Sequence, residues 1–347
     1  MCAIGLFQIR LSIFFYFLLS SGTNRRRTFF FAIRKLKSKE CMLLYNASPS
    51  GQIINQSNAE TMNTCLECLP CLGKNAVVAA KRATADPELQ KKILADSFRL
   101  LAETDYQMPP PYIARKILDI ALHYTGKADL YEPEKQRSNQ FAKKLLPELS
   151  HIPEYHAESF ESRLRLAIAG NILDFGVFAD LDLQVALDVI KSVFTKPLLM
   201  DRVELLRRKM DEAKHIFYLL DNCGEAVFDR VFMEPYKEKI TLGVRGCPSL
   251  NDVTAEDLPD CDLAGWNYIK NGPSGIPGTI LSECSDEFKT AFANADLIIA
   301  KGQGNFETMN EYPNPIAFLF LAKCPVVIRA IGAEMNSIQI RLHNLER

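Results

Sequence analysis

A chain of 347 residues of which 48% are apolar can bury a sizeable core, which excludes a disordered chain or a small disulfide scaffold. Its 41 basic and 42 acidic side chains leave a formal charge of −1, so it lacks the basic field that gathers nucleic acid, and small ligands remain as partners. Its ten cysteines fall below scaffold density, and Cys284 and Cys324 sit in apolar runs where a reduced thiol packs as a small hydrophobe, so a reducing, cytoplasmic setting is expected.

The first segment, LSIFFYFLLS at 11–20, has the texture of a signal-peptide core but is too short for a bilayer, which takes about 20 residues. Arg25, Arg26 and Arg27 follow it, whereas a secretory signal carries its positive charge first. Residues 1–61 are therefore expected to be a non-domain extension with Met62 as the natural start, and no stable membrane association is expected.

From Cys68 to Arg208 apolar residues recur at spacings of three and four in LQKKILADSFRLLAE, IARKILDIALHY and FAKKLLPEL. Pro109, Pro110 and Pro111 break one helix and open the next, since proline fits a first turn. Residues 62–212 read as a helical domain. After Lys214 the texture changes to short apolar runs: HIFYLL (215–220), KITLGV (239–244), DLIIA (296–300) and PVVIR (325–329). Such runs predict buried parallel strands, and EAVFDRVFMEPYK and SDEFKTAFANA predict helices between them. The fold class expected is α/β: the helical domain, then a Rossmann-like three-layer α/β/α domain at 213–333 with a mostly parallel sheet. Residues 334–347 are expected as a tail.

In an open parallel sheet the ligand lies beyond the carboxyl ends of the strands. HIFYLL ends in Asp221-Asn222-Cys223-Gly224-Glu225, a carboxylate and an amide oxygen that suit Mg²⁺ or Mn²⁺. KITLGV runs through Arg245 to Asn251, Asp252 and Thr254, a second carboxylate from a neighbouring tip. Capping of the following helices is the competing reading at both places. DLIIA leads into Lys301-Gly302-Gln303-Gly304-Asn305, where backbone amides and a lysine could receive phosphate. Glu307 stands where a dinucleotide fingerprint needs its third glycine, and the Gly-Lys-Ser/Thr ending of a P-loop is missing.

Taken together DNCGE (221–225), LNDVT (250–254), NGPSGIPGT (271–279), AKGQGNFET (300–308) and KCPVVIRAIG (323–332) resemble the damage-control phosphatases, also known as domain of unknown function eighty-nine, in their microbial branch with an N-terminal Cys-x-x-Cys. The resemblance spans Cys65 to Gly332. It implies hydrolysis of small phosphate monoesters with one divalent metal, Mn²⁺ or Mg²⁺, with Co²⁺ or Ni²⁺ as further candidates. Asp221, Asn222 and Asp252 resemble the metal ligands, Asp221, Asp252 and Lys301 the catalytic set. Glu225, Gly302, Gly304 and Asn305 then fall on the substrate side.

Gly170-Asn171-Ile-Leu-Asp174 resembles a further signature. Asn171 and Asp174 lie three apart in an apolar helix and need partners, which a structural network supplies as well as a substrate does. Lys135 and Asn139 also match, although a charged helix segment is ordinarily a solvated face. Cys65, Cys68 and Cys71 lack the fourth ligand of a thiolate metal site, so inert thiols are favoured. None of the five histidines falls in a motif. Cys223 occupies the place where aspartyl-phosphate enzymes carry a second aspartate, which disfavours that route. Two rivals are weighed: an S-adenosylmethionine-dependent carboxyl methyltransferase, disfavoured by the poor glycine fingerprint, and a metabolite-binding protein without turnover.

Overall fold

The computed structural model describes residues 62–172 and 183–345. The extension at 1–61 and Asp174 lie outside the described residues. Residues Gln56–Arg347 form one compact unit.

Among the described residues seven helices lead in: α1 Leu69–Ala83, α2 Pro87–Ala102, α3 Pro110–Thr125, α4 Glu132–Leu145, α5 Phe160–Ile172, α6 Leu183–Thr195 and α7 Met200–Glu212. Proline opens α3 as expected, and Asp86 caps α2 by accepting the Glu88 amide. The sheet elements follow: β1 Ile216–Leu219, α8 Glu225–Met233, β2 Ile240–Val244, β3 Tyr268–Lys270, α9 Asp286–Asn294, β4 Leu297–Lys301, α10 Gln303–Met309, β5 Ile316–Leu321, α11 Pro325–Ile331 and β6 Ile338–His343.

The strand order is β3-β2-β1-β4-β5-β6, with β1 to β5 parallel and β6 antiparallel to β5. Alternation along each strand feeds two cores. Ile216, Tyr218, Leu297, Ile299, Ala317 and Leu319 join one core with α5 to α8. Phe217, Leu219, Ile298, Ala300, Phe318 and Phe320 join another with α9, α10 and α11. Both faces are covered, which is why these strands read as unbroken apolar runs. A third core lies among α1, α2 and α3. Among the described residues no helix is long and apolar enough to cross a membrane.

Two expectations are corrected. PVVIR is not a strand but most of α11, which starts at Pro325 and stops before Gly332, and these helix signals outweigh its β-branched residues. Residues 334–347 are not a free tail, since β6 within them covers the edge of β5. In this order the chain reverses between β1 and β4, and the crevice beyond that pair of strand ends is where a ligand belongs.

Candidate active site

The loop after β2 folds back along the tip of β1. Cys223 donates to Asn251 O at 2.9 Å and Val253 donates to Asp221 O at 2.9 Å, and Asn222 and Asp252 thereby become an antiparallel pair. The three expected metal ligands are thus brought together by backbone pairing rather than by chance rotamers. Gly302, directly after β4, closes the third side. Its φ is +78°, and a Cβ there would run into the Asp221 carboxylate, so only glycine lets that carboxylate lie on the turn.

Neither Asp221 nor Asn222 caps α8. That N-terminus is held by Asn139, whose Oδ1 accepts the Gly224 amide at 2.6 Å. Likewise Thr254, not Asp252, makes the capping box beyond β2, with its amide donating to Asp257 at 2.9 Å. The competing capping reading therefore applies to Thr254 alone.

Beneath the carboxylates lies a buried ionic layer. Lys301 is fully buried, and its ammonium donates to Glu225 at 2.6 Å, to Asp229 at 2.6 Å and to Ala167 O at 3.0 Å. The expectation that Lys301 faces a phosphate is corrected, because an ammonium has three donors and all are taken. Glu225 is fully buried too, and accepts from Asn171 at 3.0 Å. Asn171 also donates to Asp221 at 3.3 Å, and its oxygen accepts the Leu321 amide at 3.2 Å, so it serves the network. Asn222 donates to Asp221 at 2.9 Å through its nitrogen, which leaves the amide oxygen as the atom that could hold a metal. Asp229, missed in the sequence, also accepts from Tyr218 at 2.9 Å.

Arg245, likewise missed, is buried with its Nε donating to Asp252 at 2.6 Å. Its signal was available, since it follows β2 immediately. That of Asp229 was its place four residues after Glu225 inside the apolar helix α8.

The remaining expected residues are internally engaged. Gly302 donates to Leu319 O at 3.1 Å, and Asn305 is buried, donating to Lys301 O at 2.8 Å and accepting from Thr279 at 2.9 Å. Gly304 packs its Cα face against Pro277 O, in the NGPSGIPGT loop. Lys135 is no solvated residue: it is buried between Asp129 and Asp257, each at 2.8 Å.

Electrostatically the site is short of positive charge. Four carboxylates, Asp221, Glu225, Asp229 and Asp252, share two cations, Lys301 and Arg245, leaving two negative charges uncompensated. Burial, reinforced by the neighbouring carboxylates Asp252 and Glu225, holds the Asp221 carboxyl well above its ordinary range. Burial also raises Asp252, against the pull of Arg245, and pushes Asp229 up to about 7 against the pull of Lys301. Lys301 is itself raised: burial favours its neutral form, and Asp229 and Glu225 together outweigh that. One divalent cation among Asp221, Asn222 and Asp252 matches the deficit, and the hard oxygen donors suit it. Among the described residues no three His, Cys, Asp or Glu side chains gather into a ready cluster.

The Cys65 and Cys68 sulfurs stand 3.6 Å apart, and burial pushes the Cys68 thiol up to about 12. Cys71 is exposed, and the eight described cysteines are free.

Comparison with known proteins places residues 64–338 in a sequence profile described as the damage-control phosphatase ARMT1-like domain. A protein named as a damage-control phosphatase from Pyrococcus horikoshii is 31% identical over 284 residues, covering 80% of this chain and 97% of its own. Another so named from Archaeoglobus fulgidus is 33% identical over 280 residues, covering 78% and 96%. A crystal structure of a P. horikoshii protein of domain of unknown function eighty-nine superposes with a TM-score of 0.74 at 29% identity, over 82% of this chain and 99% of that one.

Proposed function

Given that this chain belongs to the damage-control phosphatase ARMT1-like family, we propose that it is a cytoplasmic phosphatase that hydrolyses phosphate monoesters of small metabolites with a divalent cation held by Asp221, Asn222 and Asp252. The observation that carries this reading is the deficit of two positive charges around those three side chains at the β1/β4 switch point.

When bound, a divalent cation there would neutralise charge on the transferring phosphoryl group and lower the pKa of a water. The chain's own residues do the positioning. Arg245 fixes the Asp252 carboxylate, Asn171 ties Asp221 to Glu225, and Lys301 anchors Glu225 from below. The amides of Gln303 and Gly304, in the first turn of α10, have no acceptor within the helix and supply donors for a phosphoryl oxygen.

Turnover of a generic aryl phosphate, with Mn²⁺ or Mg²⁺ and then with EDTA, tests the reading. Activity is expected only with the cation, Mn²⁺, Co²⁺ or Ni²⁺ exceeding Mg²⁺, and Asp252→Ala is expected to lose both Mn²⁺ binding by calorimetry and turnover. Full turnover of the metal-free protein would overturn it. A panel of sugar phosphates, phosphopantetheine derivatives and nucleotide by-products then sorts the substrate class.

A further inference from the structure

Two buried cations border the carboxylates, and counting their donors separates them. All three donors of Lys301 are engaged inside the protein, by Glu225, Asp229 and Ala167 O. Arg245 differs. Its Nε donates to Asp252, and its Nη1 donates to Gly278 O at 2.5 Å and lies 3.5 Å from the Thr279 hydroxyl. Its Nη2 is buried and has no hydrogen-bond partner, and Asp221 Oδ1 lies 3.9 Å from it, beyond hydrogen-bond reach.

A buried donor without an acceptor is uncommon, because its desolvation goes uncompensated. The side chain is nevertheless held in place from three sides. The Arg245 amide donates to Val253 O at 2.9 Å, and Thr279, which flanks its Nη1, is tied to α10 through Asn305 and Thr308. The guanidinium is therefore a rigid fork with its free nitrogen on the side of Asp221, between the two carboxylates of the donor set. A charged guanidinium nitrogen without an acceptor can donate to a phosphate oxygen, and a group placed there could meet a cation on Asp221 and Asp252 at the same time.

We propose that Arg245, rather than Lys301, is the side chain that binds the phosphoryl oxygens, through its unpartnered Nη2, and that Lys301 is a positioning residue acting through Glu225. This deepens the phosphatase reading and rests on it for the identity of the substrate. The anion site itself stands on the orphaned nitrogen alone.

The test uses inorganic phosphate as the probe, titrated calorimetrically into the full chain with Mn²⁺ and, separately, with EDTA. Arg245→Lys keeps the charge and removes the fork, while Arg245→Gln keeps much of the length and removes the charge. Each variant is checked for folding by its thermal transition and for Mn²⁺ affinity. Loss of a charge-assisted pair predicts that phosphate affinity falls about 10- to 100-fold in both variants, while Mn²⁺ affinity, which feels Arg245 only through Asp252, falls by clearly less. If one variant fails to fold, the other decides.

Phosphate binding at wild-type strength in a folded variant overturns the proposal. So does a loss of Mn²⁺ binding equal to the loss of phosphate binding, which would assign Arg245 to holding Asp252 and nothing more. Arginine-dependent phosphate binding that persists in EDTA upholds the proposal by itself, and the metal reading is decided separately by turnover with and without the cation.

Discussion

Lys301 is held by two carboxylates, all three side chains fully buried, and they stand or fall together. Replacing it with alanine leaves Glu225 and Asp229 buried and unpaired, and removal of one partner from such a group costs roughly 3–5 kcal/mol. Lys301→Ala is therefore expected to lower the unfolding free energy measured by urea titration by that amount, and an unchanged midpoint and slope would contradict the buried layer. The positions of Asp221 and Asn222 were legible in the sequence because they follow an apolar run, where strand ends gather, whereas Asp252 lies well beyond the next run and only the back-folded loop brings it beside them. Lys301 was legible as a position but not in its role, since which way a side chain turns depends on what α8 presents beneath it. Arg245 stood in plain view after KITLGV, and only the back-folded loop shows its guanidinium reaching Asp252.

The elements that positioned the site were the easiest to read, and those at its margins the hardest. HIFYLL, KITLGV and DLIIA became β1, β2 and β4 because fully buried strands need no polar alternation. The same logic failed for PVVIR, a short run that helix and strand can share, and it passed over IAFLFL (316–321), which is β5. The IQIRLH segment alternates and sits at the edge of the sheet, where a half-exposed strand reads weakly against a presumed tail.

Two predictions belong at this scale. Gly302→Ala places a Cβ against the Asp221 carboxylate at a φ that costs L residues about 1–2 kcal/mol, so Mn²⁺ affinity in calorimetry should fall about tenfold or more. Wild-type affinity would show that Asp221 need not touch the turn. Deleting 334–347 strips β6 from β5, whose six residues are all buried, and leaves an apolar edge open to pairing. Light scattering is expected to show self-association of the truncated chain, and a monodisperse monomer would refute that.

Across the whole molecule the charge balance sets the response to pH. Asp229 and Glu307 are each pushed up to about 7, both chiefly by burial, and Asp221 and Asp252 shift the same way. Unfolded carboxyls titrate near about 4, so between about pH 4 and 7 the folded chain holds protons that the unfolded chain has released. Stability tied to these groups is present at low pH and lost as pH rises through about 7. Carboxylates nearer the surface with lowered values, half-buried Asp96 and exposed Asp296 among them, act at lower pH, outside this window. The melting temperature in EDTA is expected to fall from pH 5 to pH 8, and saturating Mn²⁺ should flatten that fall. A midpoint that climbs with pH in EDTA would refute the assignment.

The uncompensated pair of charges at the strand ends also bears on the lifetime of the chain. A cation at a hundred times its dissociation constant stabilises the folded form by about 2.7 kcal/mol, which cuts the opened population about a hundredfold. Where opening and closing are fast, cleavage by cellular proteases tracks that population. Metal starvation would then cost the cell not just turnover but copies of the protein, and its abundance would become a record of cation supply.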